Sequence, residues 1–252
     1  MTKSFCLLAA GLFGFSLTLN VAHAADAKPL RVLLITGGCC HDYAAQKQTL
    51  TNGISARANV IWTVIHEGDE NDKEHKFSIY EKKNWAEGFD VVVHNECFAD
   101  TTNYTYIRKI TEAHKAGVSA VVIHCAMHTY RATDIDDWRE FLGVTSRRHD
   151  HQSRYAVKKI APDHPIVKGI PEDWKTPMDE LYVIEKLWPN AKALATSVSE
   201  RDGKTYPVAW INQYGQARVF GTTYGHSDET FRDPAFLDYL SRGVLWAAGR
   251  LE

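Results

Sequence analysis

Three short, mainly apolar runs that end abruptly constrain the fold of this chain most. They span residues 31–36, 89–94 and 120–123, and His94 and His124 lie at the ends of the last two. A mostly apolar run of this length is typical of a strand buried on both faces of a parallel sheet. Because open α/β sheets bind ligands at the carboxyl ends of such strands, we expect these ends to form a shared site.

Segments with helical spacing separate the apolar runs. Residues 42–56 and 106–116 have this spacing, and residues 60–65 form a further apolar run between them. Strands that alternate with helices imply βαβ units and a doubly wound, mostly parallel sheet. The charged run 66–83 contains few apolar residues, so we expect a surface loop there.

The second half of the chain has a different pattern. Its apolar runs mostly follow one another without helices between them, which predicts an antiparallel extension of the sheet. Residues 213–216 have the composition of a hairpin turn between two of these runs. The predicted strands are 155–160, 179–184, 191–198, 208–212 and 218–223, and the predicted helices are 135–142 and 234–248.

The first 24 residues have the pattern of a secretory signal peptide. Lys3 supplies a positive charge, residues 7–21 form an apolar segment, and residues 22–24 read Ala-His-Ala. We expect cleavage after Ala24 and export, which in a bacterium means the periplasm, with no membrane contact afterwards.

The remaining residues, 25–252, are expected to form a single domain. The sequence is 44% apolar, which suits one sizeable core. Its formal net charge of −2 gives no electrostatic argument for binding nucleic acid.

Histidines close to strand ends are the main candidate site residues. Imidazole suits both metal binding and proton transfer at neutral pH. A carboxylate beside an imidazole suits general-base chemistry, and His94 and Glu96, two residues apart on an extended segment, face the same way. The other candidate histidines are His41, His124, His128 and His226.

Four cysteines also follow predicted strands: Cys39, Cys40, Cys97 and Cys125. Export permits disulfides, and a bridge from Cys39 or Cys40 to Cys97 or Cys125 is one expectation. Small buried thiols without a role are the other. Cys125 lies on a predicted turn from strand to helix, as a nucleophile would, but the small flanking residues of a nucleophile elbow are missing.

Several motifs together resemble the ThuA-like trehalose-utilisation family. The resemblance extends from about residue 30 to residue 250. The motifs are Val32-Leu-Leu-Ile-Thr-Gly-Gly, His41-Asp42, the strand-ending His124, Asp163-His-Pro-Ile-Val-Lys-Gly-Ile170, Asp179-Glu-Leu-Tyr182, Gly225-His226-Ser227, Asp233-Pro-Ala-Phe236 and Arg242-Gly-Val-Leu-Trp-Ala-Ala-Gly249.

This resemblance implies a class I glutamine amidotransferase-like fold, which is flavodoxin-like. It also implies a role in carbohydrate catabolism, on 3-keto sugars that partner sugar oxidoreductases make from disaccharides or glycosides. Glutaminase activity is not implied.

The leading hypothesis is an exported enzyme that acts on keto-sugars or keto-glycosides. It would abstract the proton next to the carbonyl, a step that serves isomerisation or elimination. His128 or Glu96 would be the base. The residues expected to contact the sugar are Tyr43, Arg131 and Glu180. The residues expected to hold one divalent metal ion, of the zinc or manganese type, are His41, His124 and His226.

Two other functions fit the same residues. The first is a carbohydrate-binding accessory protein without catalysis, and the second is a hydrolase that depends on a Cys125 thiolate. A nucleotide cofactor is not expected, because the Gly37-Gly38 turn lacks the glycine spacing and the Lys-Ser/Thr pair of a phosphate loop. The sequence leaves the oligomeric state open.

Overall fold

The computed structural model describes residues 28–252, so the predicted signal peptide lies outside the described residues. The strands are β1 (Leu30–Gly38), β2 (Val60–His66), β3 (Val91–Cys97), β4 (Ser119–Ile123), β5 (Val144–Ser153), β6 (Lys158–Lys159), β7 (Asp179–Leu187), β8 (Ala191–Val198), β9 (Thr205–Tyr214) and β10 (Ala217–Thr222).

The α-helices are α1 (Tyr43–Ser55), α2 (Tyr104–Lys115), α3 (Asp137–Leu142), α4 (Asp228–Arg232) and α5 (Pro234–Ala247). Two short 3₁₀ helices cover Ser78–Glu81 and His124–Met127. Across residues 28–252, no helix has the length and apolar character needed to cross a membrane.

One sheet contains eight of these strands, in the order β2-β1-β3-β4-β10-β9-β8-β6. The first five strands of this order pair in parallel. From β10 onward the pairing is antiparallel. The strands β5 and β7 form a separate antiparallel pair. This arrangement confirms the predicted α/β class, with a mostly parallel sheet and an antiparallel extension in the second half.

The central strands are buried on both faces, as their apolar runs predict. In β1, Val32 and Leu34 pack into a core with residues of α1 and α5. Leu33 and Ile35, which alternate with them, pack into a second core with residues of α2 and α3. All four side chains are fully buried. Because successive residues of a strand point to opposite faces, helices are needed on both sides of the sheet.

Two of the predicted elements differ from the structure. The charged run 66–83 is not only a surface loop, because Phe77 and Tyr80 are buried against α2 and Phe77 N–H bonds to the Tyr106 hydroxyl at 3.0 Å. Of the predicted strand 155–160, only Lys158–Lys159 pairs in the sheet. A few apolar residues hold the segment 66–83 against the core. The polar residues around them lower the mean hydropathy of the segment, so the sequence pattern does not reveal them.

The hairpin turn at residues 213–216 is confirmed, since it joins the antiparallel strands β9 and β10. Gly215 has φ of 57° there, in the left-handed region that glycine adopts without strain. A Cβ at this position would meet the carbonyl of Lys115. The turn therefore packs directly on the end of α2.

The strand order reverses direction between β1 and β3. The chain continues from β1 to β2 on one side and to β3 and β4 on the other. In open α/β sheets the crevice at this point, at the carboxyl ends of the strands, is where ligands bind. The residues that follow β1, β3 and β4 are therefore the ones that the fold brings to a common edge.

Gly243 of α5 packs against the ring of Phe220 in β10, and a Cβ added at this position would collide with that ring. Replacing glycine by alanine inside a helix normally stabilises by about 1 kcal/mol. Overpacking a closed core costs about 1–3 kcal/mol, and Phe220 is fully buried. We therefore expect Gly243→Ala to lower the free energy of unfolding, measured by chemical denaturation.

Gly53→Ala in α1 is the matched control. The nearest atoms to its Cβ would be the two methyl groups and Cγ of the Leu237 side chain, which can change rotamer. We expect its free energy of unfolding to stay within about 1 kcal/mol of the wild-type value. A Gly243→Ala protein as stable as Gly53→Ala would contradict the packing argument.

Candidate functional site

Two cavities open at the carboxyl edge of the sheet and share a wall made of Cys39, Cys40, His41 and Lys73. The outer cavity has a volume of about 800 Å³ and lies between the residues that follow β1 and those that follow β2. The inner cavity has a volume of about 220 Å³. Histidines from several elements line the inner one, so it is the better candidate for chemistry.

Three of the predicted histidines converge beside the inner cavity, and two of them, His41 and His226, line it. His41 follows β1, His124 follows β4 and His226 follows β10, and one ring nitrogen of each lies within 4.8 Å of those of the other two. His41 Nε2 and His124 Nε2 have no hydrogen-bond partner among residues 28–252, whereas His226 Nδ1 faces the Glu180 carboxylate at 3.2 Å. Buried polar atoms are normally paired, so this cluster is suited to a ligand.

The other ring nitrogen of each histidine is held in place. His41 Nδ1 lies 3.2 Å from the carbonyl of His226, and His124 Nδ1 lies 2.6 Å from the carbonyl of Thr223. A carbonyl only accepts, so both Nδ1 atoms carry the proton and both Nε2 atoms present lone pairs. Gln152 Nε2 lies 2.7 Å from His226 Nε2 and donates to it, so the proton of the His226 ring is on Nδ1, which faces Glu180.

The backbone around these histidines is specially shaped. His124 has φ of 48° and Cys40 has φ of 85°, conformations that non-glycine residues rarely adopt. Gly225 has φ of 133°, and a Cβ there would meet Ile123. Such conformations persist where surrounding contacts enforce them, and they cluster at functional sites.

Asp179 fixes the position of His226. Its buried carboxylate accepts hydrogen bonds from the N–H groups of Gly225 at 3.0 Å and His226 at 3.3 Å, and from the Thr230 hydroxyl at 2.6 Å. Burial raises the pKa of Asp179 to about 6, against the lowering effect of these hydrogen bonds.

Glu180 contacts the same cluster. Its Oε2 lies 3.2 Å from His226 Nδ1 and 3.7 Å from His124 Nε2, and it also lies 3.4 Å from His149 Nδ1. Its neighbour across the β5–β7 pair is Gln152, so this small sheet delivers both residues to the cavity. Glu180, predicted as a sugar contact, thus lies against the histidines.

Burial keeps two of the three imidazoles neutral. It lowers the pKa of His41 to about 4, with a further contribution from His226, and it lowers the pKa of His124 well below its usual value. Burial also acts to lower the pKa of His226, but the neighbouring Glu180 carboxylate raises it overall. Neutral imidazole is the form that binds metals, so His41 and His124 are ready to act as ligands.

His128 lines the inner cavity beside this cluster. Its ring stacks on Tyr182 with a centroid distance of 4.1 Å, and its Nε2 lies 3.1 Å from Ser146 Oγ. Ser146 in turn donates to the carbonyl of Arg148, so its oxygen accepts the Nε2 proton. His128 Nδ1 is therefore left with a lone pair. Burial and the Arg131 charge lower the pKa of His128 well below its usual value.

The two other predicted sugar contacts have different surroundings. Arg131 is exposed and lines the inner cavity, with Nη1 3.4 Å from His128 Nδ1. Tyr43 lines the outer cavity and is only 3% exposed. Its hydroxyl has no hydrogen-bond partner in the described part of the chain.

Glu96 points away from both cavities and into the core. Its Oε1 lies 2.8 Å from His94 Nδ1, and His94 Nε2 lies 3.1 Å from His114 Nε2. His114 Nδ1 donates to the carbonyl of Val118 at 2.8 Å. All three side chains are fully buried, and Glu96 is not among the described residues that line a cavity.

The proton positions along this series of hydrogen bonds follow from the bond between His114 and the Val118 carbonyl. His114 Nδ1 carries a proton, and burial lowers the pKa of His114, so its Nε2 accepts from His94 Nε2–H. Burial also lowers the pKa of His94 to about 3, which leaves its Nδ1 as an acceptor. Glu96 must then donate as a protonated carboxyl group, in agreement with its pKa, which burial raises well above the usual value.

The four cysteines form two disulfides, one between adjacent residues and one between the ends of two strands. Cys39 is bonded to Cys40, and Cys97 is bonded to Cys125. The expected bridge between the two groups is therefore not the one in the structure, because Cys40 turns outward while Cys97 faces Cys125. The expectation of free thiols is likewise wrong for this state. Cys125 has no free thiolate here, so the structure does not support the cysteine-dependent hydrolase.

Sequence reasoning missed several residues of the cavity wall. The Tyr182 ring packs against both His128 and His149, while Gln152 and Ser146 orient imidazoles. Most of these residues belong to β5, whose polar sequence gives little strand signal. The Arg-Arg-His-Asp-His sequence at 147–151, within β5, is the feature that could have indicated a functional segment.

The family model described as trehalose utilisation, ThuA, matches residues 31–247. The chain belongs to the ThuA family. The comparison with curated proteins found no match.

Solved structures of similar shape include two ThuA-like proteins. The putative ThuA-like protein of Parabacteroides merdae ATCC 43184 is 20% identical, with a TM-score of 0.71 over 89% of this chain and 92% of that one. The one from Bacteroides uniformis ATCC 8492 is 15% identical, with a TM-score of 0.67 over 89% and 94%. At these identities the likeness shows the fold alone, which is flavodoxin-like.

A more distant likeness is to the β-galactosidase of Bacillus circulans sp. alkalophilus. It is 12% identical, with a TM-score of 0.58 over 89% of this chain and 32% of the galactosidase. Membership of the ThuA family suggests a carbohydrate-related function for the chain.

Glu96→Gln tests the buried proton chain of this ThuA protein. A glutamine amide donates to His94 Nδ1 as the protonated carboxyl does, but it cannot ionise. An unfolded glutamate loses its proton above a pH of about 4.3, whereas folded Glu96 retains it. Wild-type stability therefore falls as pH rises, by up to about 1.4 kcal/mol per pH unit, while Glu96→Gln escapes this loss.

Between about pH 5 and pH 8, we expect the free energy of unfolding of Glu96→Gln to rise relative to that of the wild type. Urea denaturation at each pH measures both. Glu74→Gln is the control, because it removes a negative charge from an exposed position. A difference between Glu96→Gln and wild type that stays constant with pH would show that folded Glu96 is ionised.

Proposed function

We propose that this ThuA protein is an enzyme that acts on keto-sugars or keto-glycosides. It abstracts the proton next to the carbonyl group, as the first step of an isomerisation or an elimination. The observation that carries the proposal is the convergence of three imidazoles, two of them with nitrogens unpaired within residues 28–252 and the third facing the Glu180 carboxylate, beside a cavity that also holds a neutral histidine. Membership of a family linked to trehalose utilisation supports a sugar substrate.

The imidazole cluster fits one divalent metal ion of the zinc or manganese type. His41, His124 and His226 would hold it, and their opposite ring nitrogens are already oriented by the His226 and Thr223 carbonyls and by Gln152. Nitrogen donors with a carboxylate nearby, here Glu180, suit both ions. A bound cation would supply positive charge for the substrate carbonyl oxygen.

His128 is the base in this proposal. Ser146 accepts its Nε2 proton, so Nδ1 keeps the lone pair that would take a proton from the substrate in place of the 3.4 Å contact from Arg131 Nη1. Its low pKa keeps it unprotonated at neutral pH. Glu96 is not used, because it is buried outside both cavities and is protonated there.

Charged and polar groups around His128 would bind the sugar. The Arg131 guanidinium, next to His128 Nδ1, can donate to hydroxyl or carbonyl oxygens of a ring in the inner cavity. Tyr43, with its unpaired hydroxyl among the described residues, lines the outer cavity, where a second part of a glycoside would extend. Export after Ala24 and a supply of substrate by sugar oxidoreductases belong to the same proposal.

Metal binding tests the cluster directly. We expect the purified protein, stripped with a chelator, to bind one Zn²⁺ or Mn²⁺ ion per chain in a calorimetric titration. Loss of a residue that merely orients a ligand weakens metal binding by about 10–100-fold, so His226→Ala should weaken it more. His151→Ala is the control, because His151 is exposed and pairs with Glu200 away from the cluster. Equal binding by both variants would refute the metal site.

Proton abstraction is tested by solvent exchange. Incubation with a 3-keto-glucoside in D₂O should exchange the hydrogen next to the carbonyl, followed by NMR. Removal of a general base lowers such rates by about 10²–10⁴-fold, which is the loss expected for His128→Asn. The control is again His151→Ala. Binding of the keto-sugar without exchange by the wild-type protein would favour the carbohydrate-binding accessory protein instead.

A further inference from the structure

Four cysteine sulfurs meet in the wall shared by the two cavities. The two disulfides, Cys39–Cys40 and Cys97–Cys125, approach each other so that Cys39 Sγ lies 3.9 Å from Cys97 Sγ. The sheet register produces this proximity, because Gly38 of β1 pairs with Cys97 of β3. The N–H of Cys39 also donates to the carbonyl of Cys97 at 3.3 Å. The contact is therefore part of the folded core.

The four sulfurs differ in their access to solvent. Cys40 is exposed and lines both cavities, whereas Cys39, Cys97 and Cys125 are 5%, 3% and 5% exposed. A thiol that enters from solvent therefore meets Cys40 first. The route from Cys40 to the buried disulfide passes through Cys39, the bonded partner of Cys40 and the near neighbour of Cys97.

We propose that these cysteines form a thiol–disulfide exchange site whose substrates are small thiols of the glutathione class. Cys40 is the entry point, and Cys39 passes the exchange on to the buried Cys97–Cys125 disulfide. This activity is independent of the proposed sugar chemistry, since it needs neither the imidazole cluster nor His128.

The exchange proceeds in three balanced steps. An external thiolate attacks Cys40 Sγ, forms a mixed disulfide with it, and releases Cys39 as a thiolate. Cys39 then attacks Cys97 Sγ, forms a Cys39–Cys97 disulfide, and releases Cys125 as a thiolate, which takes a proton from solvent. A second external thiol attacks the mixed disulfide and frees Cys40. Two external thiols are oxidised to one disulfide, and one of the two protein disulfides is reduced.

A pair of single substitutions separates Cys39 from Cys40. In Cys40→Ser, Cys39 is left with a thiol next to Cys97 and exchanges without any added reductant. We expect a Cys39–Cys97 disulfide and a free Cys125. In Cys39→Ser, the free thiol is on Cys40, which bonds to Cys39 and not to Cys97 in the wild-type protein. The Cys97–Cys125 disulfide should then stay intact.

Acid quenching, alkylation with iodoacetamide under denaturing conditions and peptide mass mapping identify the free cysteine in each full-length variant. Labelled Cys125 should accumulate in Cys40→Ser and stay at background in Cys39→Ser. Label on Cys39 together with an intact Cys97–Cys125 disulfide in Cys40→Ser would overturn the proposal.

The wild-type protein provides a second measurement that needs no substitution. During titration with reduced glutathione, the first doubly labelled species should carry label on Cys40 and Cys125, with Cys39 linked to Cys97. A first species in which either original disulfide remains while the other is fully reduced would contradict exchange through Cys39.

Discussion

Parallel pairing of β1 with β3, and of β3 with β4, is the constraint on which the rest of the structure depends. It brings the residues after these strands to one edge, at the point where the strand order reverses. His41 and His124 meet there because β1 and β4 flank β3 and end at the same edge, and Cys39 lies next to Cys97 because β1 and β3 are paired. If one of these strands shifted by one residue, its side chains would all move to the opposite face of the sheet. The packing of the two hydrophobic cores therefore fixes the geometry of the site.

The small β5–β7 pair completes what the large sheet begins. It closes over the strand ends and contributes Glu180, Gln152 and the Tyr182 ring that stacks on His128. Polar groups from this pair orient imidazoles that the parallel strands supply, so neither sheet holds the complete site. The carboxylate of Asp179, at the first residue of β7, then ties the pair to the backbone of His226.

The apolar runs were enough to predict the sheet, because a strand buried on both faces leaves a strong pattern in sequence. They also predicted that His41, His124 and His226 lie together, since strand ends share an edge. Position along a strand does not tell which side chains face a cavity, so the strand-end pattern assigns Glu96 the same role as His128 although Glu96 points into the core. The polar strand β5 left almost no pattern, because its partner and not its own apolar residues stabilises it.

Two imidazoles of the cluster are chain neighbours of disulfide cysteines. His41 directly follows Cys40, and His124 directly precedes Cys125. A change of bonding at either sulfur therefore acts on the backbone that carries a cluster nitrogen, without any intervening residue to absorb it. The redox potential of the buffer is therefore an experimental variable for this site, as a substitution would be. Ligand affinities should be measured separately on protein prepared under air and on protein prepared with a reductant.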